Sequence, residues 1–317
     1  MLLLSGIISY NYTNTSYAKW SSSVESKNII KIHIKIGKSA LEFAQAKVGT
    51  DGLEQITHTI DNTLQVDSNF ATEYRYRGGN VNNYVTFNNE TWRIIGIIPT
   101  EDINGNVENR IKIIRDESIG DMKWNETYDA TTNSWNNWVT GTLNTYLNSD
   151  YFNALSTDAK NMIGTTKYCL GGYDSFSITS DIMWQYERKN EANRSGYYYG
   201  TNPIMQNDAS KKIALMYASD YGYAASKECT SNLYDYDGSA SCITTNNWLD
   251  KSVNTWLLPQ ISVISNIAFA VLSRGCVNGY NVNDYEYAVR PTLSLSSNVK
   301  ISGGFGTSSD PYTLSVN

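Results

Sequence analysis

Residues 73–98 read EYRYRGGNVNNYVTFNNETWRIIGII, and the rest of the chain is organised around this stretch. It predicts two short strands joined by a turn rich in Gly and Asn, followed by the start of a third strand. A second core segment, AVRPTLSL at residues 288–295, lies near the C-terminus. The two segments frame a core domain, residues 71–317, of roughly 245 residues. Strands outnumber helical patterns in it, so we expect an α+β fold.

Residues 19–70 predict a small N-terminal accessory region packed on this core. Isoleucines alternate with polar residues over 29–36 (IIKIHIKI), which indicates a strand. The next segment, SALEFAQAKV at residues 39–48, has a helical pattern, with Ser39 as a candidate N-cap.

Residues 1–18 contain a short apolar run over 2–8, far below the ~20 residues that span a bilayer. Ser16 and Ala18 occupy positions −3 and −1 of a cleavage site after Ala18. We interpret the segment as a secretory signal that lacks its charged beginning because the start codon was assigned late. An ordinary N-terminal strand and the remnant of a membrane anchor are the alternatives. The signal predicts a secreted or cell-surface protein.

Composition limits the classes of partner. Hydrophobic residues make up 41% of the chain, enough for a substantial core. The net charge is −6 and no run of Lys and Arg is present, so nucleic acid is not an expected partner. The 24 Tyr and 8 Trp exceed the 7 Phe, which favours packing in a β-rich fold. A ligand-binding platform is the alternative interpretation.

Four cysteines agree with export. Cys229 and Cys242 flank a loop of turn-forming residues, CTSNLYDYDGSASC, which a local disulfide would constrain. Cys169 and Cys276 are then left either as a long-range pair or as two buried thiols. No CxxC motif occurs, so a zinc ribbon is not expected.

Three further segments complete the predicted core. Residues 135–155 have the best helical pattern, and residues 213–218 predict a strand that runs into Asp220. Residues 173–208 form a long polar and aromatic segment, and such segments in a compact domain are often functional loops.

The order and spacing of several motifs resemble a family of bacterial surface proteins to which no activity is assigned. The motifs are EYRYRG, NNYVTFNNETWRIIGI, KIIRDESIG, IALMYASDYGYA, AVRPTLSLSSNVKISG and GTSSDPYTL. The match covers residues 71–317 and, more loosely, 46–70. Many members carry a signal anchor or a prepilin-like N-terminus. Cys169 and Cys276 are peculiar to this chain, so the resemblance favours their pairing with each other.

The C-terminal part, with AVRP at residues 288–291, also resembles the C-type-lectin-like fold of formylglycine-generating enzymes. The resemblance implies a mainly antiparallel twisted sheet, one or two helices and long loops. Such domains bind sugars and proteins, often with calcium held by carboxylates of long loops. It therefore points to Asp220, Asp235 and Asp237 as calcium ligands. The alternatives are that Asp-Gly forms a turn and that Asp220 caps a strand end.

Exposed aromatic residues in the loops are candidates for ligand binding. They could stack on sugar rings or dock a protein, and they are Tyr197, Tyr198, Tyr199, Tyr234 and Tyr236. We expect a non-enzymatic binding or adhesion module for an extracellular glycan or protein. Contact with a membrane is expected only through an N-terminal anchor. A pilin-like assembly component is the alternative.

Enzymatic activity is the third hypothesis. The two histidines, His33 and His58, lie outside residues 71–317, which disfavours a Ser-His-Asp triad or a His-based zinc site in the core. Cys276 in SRGCVNGY is the candidate for a formylglycine-type oxidase. Arg290 is expected to anchor an ion pair. A glycosidase needs two facing carboxylates, for which the candidates are Asp116, Glu117, Asp181 and Glu187.

Overall fold

The computed structural model describes residues 5–11, 15–21, 31–34, 37–64, 66–173, 178–188 and 201–316, the first three ranges by their backbone alone. The fold is α+β with mostly antiparallel sheets, as predicted. The described residues contain six α-helices rather than one or two, but none is longer than α1. They are α1 (Ala40–Lys47), α2 (Thr142–Tyr146), α3 (Phe152–Ala154), α4 (Thr157–Met162), α5 (Ser180–Tyr186) and α6 (Ala218–Ala224).

The strands are numbered in chain order. The first ten are β1 (Ser5–Asn11), β2 (Thr15–Ser21), β3 (Lys31–Ile34), β4 (Leu53–Thr57), β5 (Thr72–Tyr76), β6 (Tyr84–Phe87), β7 (Glu90–Glu101), β8 (Val107–Arg115), β9 (Asp121–Lys123) and β10 (Tyr168–Cys169). The others are β11 (Gly172–Tyr173), β12 (Met205–Gln206), β13 (Thr255–Ile261), β14 (Ile267–Val271), β15 (Val277–Asn281), β16 (Glu286–Ala288), β17 (Thr292–Ser294), β18 (Val299–Gly303) and β19 (Thr313–Val316).

The first large sheet contains the strands formed by residues 73–98. Its order is β17-β8-β7-β5-β4, with β6 on β7, so the strands predicted within residues 73–98 are confirmed. Strand β7 lies at its centre and is buried on both faces over residues 92–100, which explains its nearly continuous apolar sequence. At Gly96 the register with β8 shifts, and a Cβ there would lie 2.1 Å from the carbonyl oxygen of Tyr74. Glycine is needed because the neighbouring backbone approaches so closely.

The second large sheet has the order β15-β14-β13-β16-β9, with β11 on β13. Strand β13 is buried along its whole length, and it pairs in parallel with β11 and β16. Three smaller sheets, β1-β2-β3, β10-β12 and β18-β19, are antiparallel. Edge strand β9 and its neighbour β16 form the floor of a surface groove.

Helix α1 begins where the sequence predicted it. The backbone N–H of Glu42 donates to Oγ of Ser39, and the N–H of Ser39 donates to Oε2 of Glu42 (2.9 Å). This reciprocal capping box provides acceptors for two backbone N–H groups that have no hydrogen-bond partner within the first turn of the helix.

The helix predicted over residues 135–155 starts later than expected. Helical structure begins at Thr142 and continues to Ala154 through a π-helical turn, Leu147–Tyr151. Upstream, Nδ2 of Asn136 donates to the carbonyl of Ile264 (2.7 Å), and Asn136 is fully buried. Asn side chains that bond to backbone groups compete with helix formation. The segment before Gly141 is therefore an irregular loop fixed to the second sheet.

Residues 213–218 were expected to be a strand running into Asp220. Instead, Ala214 makes only an isolated bridge to Thr292, and residues 218–224 form α6. Oδ2 of Asp220 accepts the N–H of Tyr217 (2.8 Å), which caps the first turn of this helix. Every residue of α6 is buried, and an apolar run of this length does not by itself distinguish a buried strand from a buried helix.

Candidate functional site

Asp220, expected to bind calcium, lies in the protein interior between two cationic side chains. Its Oδ1 accepts a hydrogen bond from Nη1 of Arg75 (2.8 Å), and its Oδ2 accepts one from Nζ of Lys112 (2.6 Å). Asp220 is 1% exposed. This corrects the calcium prediction for Asp220, because both oxygens already have cationic partners.

Asp235 and Asp237 are exposed in a 3₁₀ turn, Leu233–Gly238. Oδ2 of Asp237 lies 2.8 Å from Nε of Arg274. In the part of the chain that the structure describes, no three His, Cys, Asp or Glu side chains come together in a way that could hold a metal ion. The structure thus does not bring the three predicted calcium ligands together.

The predicted ligand-binding tyrosines fall into three groups. Tyr197, Tyr198 and Tyr199 lie outside the described residues. Tyr234 is 41% exposed. Tyr236 is 1% exposed, and its hydroxyl donates to the carbonyl of Gly222 (3.1 Å). Tyr236 is therefore a core residue, and the prediction that it contacts ligand is wrong.

The predicted disulfide between Cys229 and Cys242 is confirmed, and its two cysteines are 13 positions apart in the sequence. The loop that it closes is anchored by Leu233, which is fully buried, and by Tyr236. Loop 229–242 therefore packs on the core rather than standing out from it.

Cys169 and Cys276 do not form the second expected disulfide. Sγ of Cys169, in β10, contacts the carbonyl of Tyr186 (3.6 Å). Sγ of Cys276 lies in another part of the fold, just before β15, where it accepts a bond from Nε of Arg274 (3.1 Å). Burial raises the pKa of the Cys276 thiol, which does not favour the nucleophilic cysteine that an oxidase would need.

The four carboxylates considered for a glycosidase occupy different surroundings. Asp116 and Glu117 lie at a surface groove. Oδ1 of Asp181 lies 3.1 Å from Nδ1 of His58, and Glu187 is buried. Sequence reasoning placed His58 outside the core domain, yet its ring stacks on Trp184 at 3.7 Å.

The groove is a surface depression of about 570 Å³. Its floor is formed by β16 and by the start of β9, and its walls by residues 116–118 and 251–254. Charged and amide side chains line it together with one aromatic ring. They include Asp121, Lys251, Asn254, Glu286 and Tyr287.

Three tyrosines form a cluster beside the groove. The ring centroids of Tyr280 and Tyr285 are 5.2 Å apart, and Tyr287 lies 5.4 Å from the first and 5.7 Å from the second. Tyr287 lines the groove and rests on the buried ring of Trp256, at 4.7 Å. Of the three, only Tyr287 lines the groove, and it is 8% exposed, whereas Tyr285 is 45% exposed.

A second depression of about 330 Å³ continues the groove along the same strands. The two depressions share Asp121 and Glu286. In the β9–β16 register, Ala288 is opposite Asp121 and Glu286 is opposite Lys123, so these four residues point to one side of the sheet, whereas Tyr287, opposite Met122, points to the other. Together the depressions make an elongated, polar surface with carboxylates at its middle.

The end of the groove near Asp116 is fixed by an ion network. Oδ1 of Asp116 accepts a bond from Nζ of Lys251 (2.8 Å) and lies 3.6 Å from Nη1 of Arg93. Burial opposes ionisation, but Lys251, Arg93 and Arg290 together hold the pKa of Asp116 below its usual range. Arg290 also donates to the carbonyls of Arg115 and Leu249, which agrees with its predicted anchoring role. The wall of the groove is therefore rigid and carries little net charge there.

A second polar feature, the ionic centre, is buried where helices α5 and α6 meet the first sheet. Arg75 of β5 hydrogen-bonds Glu73 as well as Asp220, and Lys112 of β8 completes the cluster. Burial raises the pKa of Glu73, but the charges of Arg75 and Arg188 and a bond to His58 hold it far below its usual range. Buried carboxylates remain ionised only when they are paired in this way.

Sequence reasoning missed the groove, although a signal for it was present. Tyr285 and Tyr287 are two residues apart in NVNDYEYAVR, which places both on one side of a strand. The proximity of Asp121, Lys251 and Glu286 depends on contacts between distant parts of the chain, which no local pattern reveals.

Comparison with protein-family models, with curated proteins and with solved structures found no match. Among the described residues, no helix has both the length and the apolar character to cross a lipid bilayer.

Proposed function

We propose that this protein is an exported bacterial binding module that recognises an extracellular glycan through the groove on β9 and β16. The observation that carries the proposal is the elongated depression, about 570 Å³ in its larger part, lined by carboxylate and amide groups and by Tyr287, whose ring belongs to the tyrosine cluster. This combination of an aromatic surface with a few fixed polar groups is typical of ligand sites.

A glycan fits this lining better than a protein does. Sugar rings offer C–H faces that pack on an aromatic ring, and tyrosine supplies a large apolar surface with a polar tip. Sugar hydroxyls both donate and accept hydrogen bonds, so Asp121, Asn254 and Glu286 are suitable partners. Because the two depressions are continuous, they suit a chain of sugar units rather than a single one.

The finer assignments of fold, family and location belong to the same proposal. The antiparallel α+β architecture and the long irregular segments are consistent with a C-type-lectin-like fold and with the bacterial surface family that the motifs resemble. The disulfide between Cys229 and Cys242 supports a secreted or cell-surface location, because disulfides persist in oxidising compartments.

The experiment is a titration of the purified chain with a panel of short oligosaccharides, followed by isothermal calorimetry on those that bind. In the Tyr285→Ala variant we expect the affinity to fall by about tenfold, equivalent to about 1.4 kcal/mol. Asp121→Asn should weaken binding as well, because the amide replaces one hydrogen-bond acceptor by a donor.

Tyr234→Ala is the matched control, since Tyr234 is similarly exposed (41% against 45% for Tyr285) but belongs to loop 229–242. We expect it to bind as the wild type does. The proposal is wrong if no member of the panel binds, or if Tyr234→Ala abolishes binding while Tyr285→Ala leaves it intact. Release of shortened sugars during the titration would instead indicate a glycosidase.

A further inference from the structure

A small cavity adjoins the ionic centre and shares no lining residue with the proposed glycan groove. It lies between the ends of β7 and β8, strand β10 and the C-terminal end of α5, and its volume is about 60 Å³. One water needs roughly 10–15 Å³ of such space, so the cavity has room for several waters or for one molecule of a few heavy atoms. At its edge, Nζ of Lys167 and Oε1 of Glu101, both partly exposed, form a salt bridge at 3.0 Å.

Glu187, which lines this cavity, has an oxygen without a hydrogen-bond partner. Its Oε1 accepts the N–H of Ser219 (3.2 Å), whereas its Oε2 is buried and accepts no hydrogen bond from the described residues. Among the described residues, the nearest cationic group to Oε2 is Nη1 of Arg188, 4.0 Å away. Glu187 is 2% exposed. A buried carboxyl oxygen without a hydrogen bond destabilises the folded protein. A group in the cavity that donates a hydrogen bond to Oε2 would therefore be bound favourably.

Lys112 lines the same cavity and has donors to spare. Its ammonium group carries three N–H donors, and the one hydrogen bond it makes within the described structure is to Oδ2 of Asp220 (2.6 Å). Its Nζ also lies 4.5 Å from the ring centre of Tyr217. The cavity therefore offers an acceptor on Glu187 and donors on Lys112.

The balance of charge favours an anion as the occupant. Among the described residues, three buried cations, Arg75, Lys112 and Arg188, face two carboxylates that are paired with them, Glu73 and Asp220, and Glu187 is the third acid. Burial raises the pKa of Glu187 to about 7, with Asp220 adding to the effect, while Ser219 and Arg188 oppose it. When Glu187 is protonated, one positive charge is left over. The charged and titratable groups around Glu187 are Arg188 beside it, Asp220 and Tyr217 at α6, Lys112 of β8, Glu73 and Arg75 of β5, and Cys169 of β10.

We infer that this cavity binds one small monocarboxylate together with one proton. The carboxylate accepts hydrogen bonds from Lys112, and the proton is held between the carboxylate and Oε2 of Glu187. Waters alone would satisfy the hydrogen bonds but would leave the excess positive charge. A dianion would exceed that charge, and an ammonium ion would add to it.

The test uses acetate as the probe, with the full chain and isothermal calorimetry in a carboxylate-free buffer. Because the bound acetate requires a proton on Glu187, its affinity should increase by about tenfold per pH unit as the pH falls from about 9 towards about 7, and then level off. In Glu187→Gln the amide donates at every pH, so acetate should bind with no pH dependence over that range. Acetamide and methylammonium should not bind to the wild type.

Lys112→Met should weaken acetate binding by at least about tenfold. Lys47→Met removes the same charge from a partly exposed salt bridge with Asp51 and should leave acetate binding unchanged. Absence of acetate binding, pH-independent binding by the wild type, or binding of methylammonium in place of acetate would each overturn the inference. If Lys112→Met does not fold, the results with Glu187→Gln and with the substituted probes decide the outcome.

Discussion

Nζ of Lys112 lies 2.6 Å from Oδ2 of Asp220 in the protein interior, although 108 residues separate the two along the chain. Arg75 binds the other carboxylate oxygen of Asp220 at 2.8 Å. One carboxylate on α6 thereby ties together two strands of the first sheet, β5 and β8. Such a contact stabilises the fold only while all of its members are present, because a buried charge without a partner is costly.

Asp220→Ala should therefore destabilise the protein strongly. The substitution leaves Arg75 and Lys112 buried without their shared partner, and breaking a buried pair typically costs about 3–5 kcal/mol. Urea unfolding followed by tryptophan fluorescence measures the change. Lys47→Ala, which removes a partly exposed salt bridge with Asp51, is the control and should cost at most about 1 kcal/mol. Equal effects of the two substitutions would show that the ionic centre does not contribute as described.

Glu187→Gln should change how stability depends on pH. The pKa of Glu187 in the folded protein is raised to about 7, above its value in the unfolded chain. The folded state therefore holds the proton more tightly, and this contribution to stability is lost as the pH rises through about 7. Gln mimics the protonated acid at every pH. Relative to the wild type, the variant should become more stable between about pH 5 and about pH 8.

This comparison is made by urea unfolding in carboxylate-free buffers, so that acetate binding does not contribute. A constant difference in unfolding free energy across the pH range would contradict the prediction. Glu73 and Asp220 behave in the opposite way, because their pKa values are lowered in the fold. Their contribution to the free energy of unfolding is present above the carboxyl pKa of the unfolded chain and disappears as the pH falls. This holds equally for the wild type and for Glu187→Gln.

The cysteines can be counted directly. In denaturant without a reducing agent we expect two reactive thiols per chain, from Cys169 and Cys276, and after reduction four. Finding none before reduction would mean that the second disulfide does form. The Cys229→Ser/Cys242→Ser double variant should be less stable by about 3 kcal/mol, because the cross-link restricts the unfolded loop. A Cys276→Ser variant is the control for loss of a buried thiol.

Glycan binding should not depend on calcium. Within the described residues no cluster of carboxylates is arranged to hold a metal ion, and Asp220 is already bound by Arg75 and Lys112. Affinities measured in excess calcium and in excess EDTA should agree. Loss of binding in EDTA, restored by calcium, would place a metal in the recognition site and contradict this prediction.

Local patterns predicted the parts of the fold that depend on neighbouring residues. The alternation in residues 73–98 predicted β5, β6 and β7, Ser39 predicted the start of α1, and the turn-rich loop predicted its own disulfide. Each of these features is set by residues close together in the sequence. These features can therefore be predicted from local sequence patterns.

Features that depend on distant residues were not predictable in the same way. Asp220 was predicted to bind calcium because no residue near it in the sequence indicates that Arg75 and Lys112 contact it. Asn136 delays a helix because it bonds to Ile264, on another segment. Asp121 and Glu286 lie on one side of the sheet only because β9 pairs with β16. The candidate site is thus a product of tertiary structure, and only the Tyr285–Tyr287 spacing hinted at it.

The most direct test of the glycan groove is chemical-shift mapping by NMR, with the tightest-binding oligosaccharide added to isotope-labelled protein. We predict that the perturbed signals belong to Tyr285, Tyr287, Asp121 and Asn254, with no change in loop 229–242. Perturbations confined to loop 229–242, or the absence of any at the groove, would contradict the account.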